Sequence, residues 1–340
     1  MDFRLSELQR ELASATRDLL DARCPASVVR ASREKPDGVA DLWSALAELG
    51  LPGALVPEDA GGLGLSTTDL LPALQETGRA AVPAPIVETA LVAVPLLAAA
   101  GNAELVAAVA AGDAVVTVAP AGEPVPWAAA ATHVVLLGEH VSLLTRAELR
   151  GEPVPAVDGS RPLTVLGGEA GHGETHGEAL GTEPALGRSA RARAAVGLAA
   201  QLVGLAERQL SITVEYVADR RQFGVPVGSF QAVKHHLADA LLAVRFARPA
   251  VLAAGLALDA DPVAADAATA RAVALAKATA SDAADLVSTT AVQCHGAMGY
   301  TDEYDLQLYA KRGWALAAAW GTATEHRAAY GDALGLPRSH

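Results

Sequence analysis

Cysteine is nearly missing from this sequence: Cys24 and Cys294 stand far apart, with no C-x-x-C pair. A disulfide-stapled secreted domain is excluded, and a reducing, cytoplasmic setting is the expectation. Positive charge is also short. With 26 basic against 39 acidic residues the formal net charge is −13. That argues against general nucleic-acid binding, which requires a cationic face, and leaves room for local basic phosphate sites. Aromatic residues are 4% of the chain; an apolar fraction made mostly of Ala, Leu and Val favours tightly packed helices over an all-β sandwich. The apolar stretch Ala90 to Ala100 stops at Gly101-Asn102, well short of the ~20 residues of a membrane span. The amphipathic, charged start from Met1 to Ser14 has no signal-peptide core. No membrane association is expected.

What is present suits a large core. Hydrophobic residues make up 51% of 340 residues, enough for two or three compact units. Leu8, Leu12, Ala15, Leu19 and Leu20 recur at helical spacing. A second helical run covers 38–49 and ends at Gly50, a favoured C′ residue; further helices are predicted over 69–78 and 88–100. From Asp113 the character changes to short β-branched runs separated by Pro, Gly and acidic residues, the pattern of strands. These end near Gly168, and the Gly-rich polar stretch that follows is predicted to be an exposed connection. Four long helices are then predicted over 186–218, 229–258, 262–292 and 302–334, with Pro262 at the start of the third. Long helices joined by short loops make a bundle. The expectation is a mainly α protein with a small β domain: residues 1–112 an N-terminal helical domain, 113–185 a shortened middle β domain with its loop, and 186–340 a C-terminal four-helix bundle.

Two segments carry candidate chemistry. Tyr216 to Gln231, YVADRRQFGVPVGSFQ, ends one helix, turns through Gly224, Pro226 and Gly228, and starts another. Adjacent arginines and an aromatic ring at such a corner suit a phosphate and a base; an ordinary charged helix end is the plainer alternative. Gln293 to Tyr300, QCHGAMGY, has Gly296 and Gly299 at a turn, where bare backbone lets a large ligand approach; taken alone, an ordinary interhelical loop is the plainer reading.

R-x-F-G-x-P-x-x-x-F-Q followed by Q-x-x-G-x-x-G-Y closely resembles the C-terminal domain of acyl-CoA dehydrogenases. LAELGLPGALVPEDAGGLGLS and LQETGRAAVPAPIVET resemble that family's N-terminal helical domain. The resemblance implies the family's three-domain fold, with FAD at a subunit interface. It also implies hydride transfer from the β-carbon of an acyl-CoA to FAD, while a carboxylate removes the α-proton. It places Arg221 on the FAD pyrophosphate with Gln222 and Phe223 beside the adenosine half. Gln231 matches the glutamine opening the next helix. Gln293, Gly296 and Ala297 would line the dinucleotide of a neighbouring subunit, and Thr322 and Thr324, in Gly321-Thr-Ala-Thr324, match a stretch near the flavin.

The pattern breaks at the base. Most members carry Glu directly before the Gly-Thr; here Trp320 stands there, and an indole accepts no proton at neutral pH. The minority position, early in the first bundle helix, falls at Ala194 or Ala195. The flavin-ring segments of the β domain depart as well, with Thr117-Val-Ala-Pro120 where the family has T-E-P, and Trp127 too early for the later tryptophan. Short chains of this kind resemble halves of αβ heterotetramers that degrade steroid side chains and other bulky acyl-CoAs. The expected partners are a second subunit carrying the carboxylate, the acyl-CoA substrate and an electron-transfer flavoprotein. A flavin-free scaffold and a self-sufficient homotetramer, with Asp302 or Glu303 as base, are the alternatives. His172 to His176 is not H-E-x-x-H and reads as a solvated loop, so no metal is expected. His235-His236 reads as helix surface. Gly61-Gly-Leu-Gly64 lacks a preceding strand and a following Lys, so it is no phosphate loop.

Overall fold

A computed structural model describes residues 4–35, 39–167, 177–181 and 184–336; His172 and His176 lie outside them. The N-terminal unit holds α1 (Glu7–Arg23), α2 (Ala26–Ser32), α3 (Ala40–Glu48), α4 (Thr67–Arg79), α5 (Val94–Ala99) and α6 (Ala103–Ala111). Its starts are written in side chains. Ser6 with Gln9, and Ser66 with Asp69, form reciprocal caps that satisfy the first free N–H groups of α1 and α4. The predicted helix over 88–100 is not one α-helix: Val87–Ala93 is a wide π turn that leads into α5. Pro95 accounts for the departure, because it has no N–H to give and its ring crowds the carbonyl four residues back.

The middle unit is two small sheets. β1 (Val116–Pro120), β3 (His133–Leu137), β4 (Val141–Thr145) and β7 (Glu178–Gly181) lie in that order, β1 parallel to β3 and the rest antiparallel. β2 (Val125–Pro126), β6 (Leu163–Leu166) and β5 (Gly151–Val154) make the second. The predicted end of the strands near Gly168 is therefore corrected: β7 lies within the stretch predicted as an unstructured connection, and it completes the sheet by pairing with β4.

The bundle comprises α7 (Pro184–Asp219), α8 (Gln231–Ala260), α9 (Ala267–His295), α10 (Leu306–Ala318) and α11 (Ala323–Ala333), with a two-residue-strand hairpin, β8 (Arg221–Gln222) and β9 (Val225–Pro226), between α7 and α8. Two predicted boundaries differ. Pro262 precedes a turn, and α9 starts only after Asp266, whose side chain caps Ala268 N–H at 3.2 Å. The predicted fourth helix is broken between Ala318 and Ala323. α4 and α7 approach through glycines: a Cβ on Gly204 would lie 1.9 Å from the Gln75 carbonyl oxygen, and one on Gly78 2.1 Å from that of Gln201. α8 is long and apolar enough to cross a membrane. One of its faces packs in the bundle, while its other face exposes Leu241, Leu242 and Phe246, the last 75% accessible. His235 and His236 are exposed on it, as predicted.

One buried ionic junction joins all three units. Arg312 of α10 pairs with Asp158, donates to the Val82 carbonyl at 2.8 Å and reaches Ser160 Oγ at 3.0 Å. Arg161 lies 3.6 Å from Glu88 of the π turn. Both guanidinium groups lie against Trp127, at 5.3 Å for Arg161 and 5.7 Å for Arg312.

Candidate active site and cofactor surface

The candidate residues fall into two groups at different levels of the bundle. At one end, Tyr216 near the end of α7 stacks on His295 at the end of α9, ring centroids 4.2 Å apart, and Tyr304 packs on both. The His295 imidazole also bonds the Ala291 carbonyl at 2.7 Å. This stack brings the β8–β9 hairpin and the 296–300 turn to one end of the molecule. Arg221, Gln222, Gln231, Gln293, Gly296 and Ala297 are all exposed there. Phe223 is 93% accessible and sits at φ +52°, its ring edge-on to Phe230 at 6.3 Å. Gly296 has φ 59° and ψ −135°, and open space stands where a Cβ would be. Such backbone belongs to glycine, and it leaves main-chain atoms uncovered.

Trp320, Thr322 and Thr324 lie elsewhere. Lys277 contacts their corner, and Lys277 is 18 residues before His295 on α9, about 27 Å at 1.5 Å per residue. The corner reverses the chain through Trp320 at φ +58° and Gly321 at φ +96°. A helix end exposes carbonyls, and here side chains take them up. Lys277 Nζ, fully buried, donates to the Ala317 and Gly321 carbonyls, each at 2.9 Å. His326 Nε2 donates to the Trp320 carbonyl at 3.0 Å, which fixes its tautomer. Thr322 N–H and Oγ1 donate to Glu325 at 2.7 and 2.9 Å, and Glu325 N–H returns a bond to Thr322 Oγ1. Burial lowers the Lys277 ammonium to about 8, with Glu325 opposing. Burial likewise lowers His326, while the bonds from Thr322 hold Glu325 below the usual carboxylate range.

Beside this corner lies a groove of ≈ 480 Å³. Its walls are α7 (Arg188, Arg191, Ala192, Ala195), α9 (Ala270, Val273, Ala274), the corner (Trp320, Gly321, Glu325, His326) and the β1–β2 turn (Pro120, Glu123). The two positions where the family resemblance expects a base, Trp320 and Ala195, thus share one groove; Ala194 is buried next to Ala195. Asp302 and Glu303 do not approach it. Asp302 pairs with Lys311 at 3.1 Å, which holds its carboxyl below the usual range, and both precede α10, whose other end carries the corner.

Reading the sequence missed Lys277, His326, Glu325 and Glu123. Thr322-x-x-Glu325 is a legible capping box, and it also announces the helix break. No local signal marks Lys277, whose partners lie some forty residues away. Glu123 carries the one groove carboxylate without a hydrogen-bond or ion-pair partner among the described residues.

Comparison with known proteins agrees with this layout. The acyl-CoA dehydrogenase N-terminal domain matches residues 6–111, and the acyl-CoA dehydrogenase C-terminal domain matches 185–334. Acyl-CoA dehydrogenase IpdE2 of Mycolicibacterium smegmatis is 34% identical over 90% of this chain and 91% of its own. IpdE2 of Mycobacterium tuberculosis is 34% identical with the same coverage. Among solved structures, a variant of the Tcur3481-Tcur3483 steroid ACAD superposes with TM-score 0.85 at 26% identity, covering 96% of this chain and 97% of that one. The ChsE4-ChsE5 complex from Mycobacterium tuberculosis gives TM-score 0.86 at 23% identity over the full length of both chains. With both terminal domains matched and relatives aligned over nearly its whole length, the chain belongs to the acyl-CoA dehydrogenase family.

Proposed function

We propose that this chain is the subunit of a hetero-oligomeric acyl-CoA dehydrogenase that supplies part of an FAD site and no catalytic base. The observation that carries this reading is the groove: Trp320 and Ala195 line it together, and neither can take the α-proton. Glu325, though present, is committed to the cap of α11, and its depressed pKa makes it a poor base. By contrast, the hairpin end suits a dinucleotide. Arg221 offers an exposed guanidinium, unpaired among the described residues, for a pyrophosphate, Phe223 an open ring face for adenine, and Gly296 an uncovered turn. Gln222, Gln231, Gln293 and Ala297 would complete that surface. Bound FAD would supply the acceptor for the hydride leaving the acyl β-carbon.

The two groups, about 27 Å apart along α9, serve different sites in this reading: the hairpin end completes the cofactor site of a partner chain, and the corner stands at this chain's own altered groove. Thr322 supports that division, since its hydroxyl is engaged by Glu325. The exposed apolar face of α8 supports association. A steroid-derived or similarly bulky acyl-CoA is the proposed substrate, with an electron-transfer flavoprotein as acceptor; the Tcur3481-Tcur3483 steroid ACAD supports the substrate class and the two-chain assembly.

A second reading rests on Glu123, a groove carboxylate unpaired among the described residues, which would make the chain a self-sufficient enzyme. Co-expression with a base-bearing acyl-CoA dehydrogenase chain from the same genome separates the two. The expected result is a yellow complex that oxidises acyl-CoA with an artificial electron acceptor, from a chain that is inactive alone. Activity of the chain alone, abolished by Glu123→Gln, overturns the first reading. A colourless complex overturns both and leaves a flavin-free scaffold.

A further inference from the structure

Away from the groove, a second cavity of ≈ 300 Å³ lies at the seam between the N-terminal unit and the β unit. The N-terminal unit contributes Trp43 and Ser44 of α3 with Pro83 and Pro85, and the β unit contributes Trp127 and Arg146. No residue lines both this cavity and the groove beside Trp320. Its walls are held by contacts that need no occupant. Trp43 is buried, and its indole N–H donates to the Gly112 carbonyl at 3.1 Å. Trp127 is buried too, at φ +52°, an uncommon backbone for so bulky a residue. That backbone is tied on both sides. The Trp127 N–H donates to the Pro162 carbonyl at 2.8 Å, and its carbonyl accepts from Ala130 and Ala131 N–H, each at 3.0 Å. Pro83 and Pro85 are buried, and proline brings no N–H that would need a partner. Two indoles and two prolines make a preformed apolar wall, the character of a small-molecule site.

The charge at the cavity selects the ligand. Among the described residues Arg146 is the one charged side chain lining it, and no carboxylate does. The guanidinium donates to the Ala129 carbonyl, next to Ala130 of the lining, which holds it at the cavity. A guanidinium has further N–H donors to give, and Arg146 is exposed, so an anion can reach it. The groove differs in this respect, since Glu123 and Glu325 line it. A volume at the lower end of small-molecule sites suits a compact ligand of about two rings rather than a whole acyl-CoA. We propose that this cavity is a binding site for a small ring-bearing carboxylate, its rings against Trp43 and Trp127 and its carboxylate on Arg146. The site stands apart from the acyl-CoA groove and does not depend on how that groove is used.

Isothermal titration calorimetry of the full chain with 2-naphthoate tests this without flavin or turnover. Saturable one-to-one binding is expected, with 2-naphthylmethanol, which has the same rings and no charge, about tenfold weaker. Arg146→Ala should bring the naphthoate down to the level of the alcohol and leave the alcohol unchanged. Ser44→Phe, at an exposed position of α3, places a ring in the cavity and should abolish binding of both. An unchanged Tm in each variant shows that the fold is kept; should S44F not fold, the exposed Arg146→Ala decides. Absence of saturable binding overturns the proposal. Binding that survives S44F overturns it too, because the rings then sit elsewhere, as on the exposed face of α8. Equal affinity for acid and alcohol, or for wild type and R146A, refutes the carboxylate on Arg146.

Discussion

Lys277→Met isolates the cost of the buried ammonium behind the Trp320 corner. In the folded chain Lys277 titrates at about 8 because burial penalises its charge; unfolded, it returns to about 10.4. The folded state therefore binds fewer protons between these values, and stability rises with pH across that window. Below pH 8 the penalty is present in full. At about 1.4 kcal/mol per pK unit, a shift of somewhat over two units makes it about 3 kcal/mol, most of it relieved by pH 10. Cys24 acts in the opposite direction, since burial raises its thiol to about 12 and the unfolded thiol ionises near 8.5. Comparing wild type with K277M cancels that opposing effect. Urea unfolding at pH 7 and pH 10 is expected to show wild type gaining about 2–3 kcal/mol relative to K277M. Parallel pH profiles for the two proteins would refute the argument, because Lys277 would then carry no penalty for its charge.

Arg312→Met strands Asp158, which would keep a buried carboxylate without its partner; chemical denaturation should show a loss of about 3–5 kcal/mol, with part recovered in the double variant that also carries Asp158→Asn. Gly204→Ala drives a methyl into the Gln75 carbonyl; a fall in Tm by several degrees is expected, and an unchanged Tm would mean that α4 and α7 separate freely. Arg221→Ala, by contrast, removes an exposed side chain, so Tm of the isolated chain should hold while the co-purified complex loses flavin absorbance at 450 nm or so, a wavelength set by the flavin. Trp320→Glu places a carboxylate in the groove; no activity is expected from the isolated chain, since its sequence also departs from the family's pattern at Thr117–Pro120.

Much of the fold was legible because its signals are local. Gly50 announces its helix end, and β-branched runs announce the strands. What escaped depends on contacts distant in sequence or on geometry finer than apolar spacing. β7 reads as loop because Glu178–Gly181 has little β character, and only pairing with β4 makes it a strand. The π turn over Val87–Ala93 has the same periodic apolar content as an α-helix, so Pro95 was its one warning. α8 was legible in nearly its full length, the predicted 229–258 against the observed Gln231–Ala260. At the site, the two motif segments were recognisable one at a time. Their convergence required the Tyr216–His295 stack, and the groove required three units at once.

The two ends of the bundle differ in how far each chain satisfies itself. At the Trp320 corner three carbonyls find side chains: Lys277 takes Ala317 and Gly321, and His326 takes Trp320. The Thr322–Glu325 pair closes the next helix start. At the hairpin end the opposite holds. Phe223 sits in left-handed backbone at a cost of about 1–2 kcal/mol, yet its ring is 93% accessible and buries almost nothing in return. Gly296 adopts backbone closed to other residues without any neighbour that requires it. Phe223 and Gly224 form the two-residue turn of the β8–β9 hairpin, which needs positive φ at both positions, and Gly296 ends α9. The arginine, the aromatic face and the open turn they leave facing outward are the groups the proposed dinucleotide contact uses. A corner satisfied by internal bonds and a hairpin end whose arginine, aromatic ring and turn face outward fit the proposal that this chain completes the cofactor site of a neighbour.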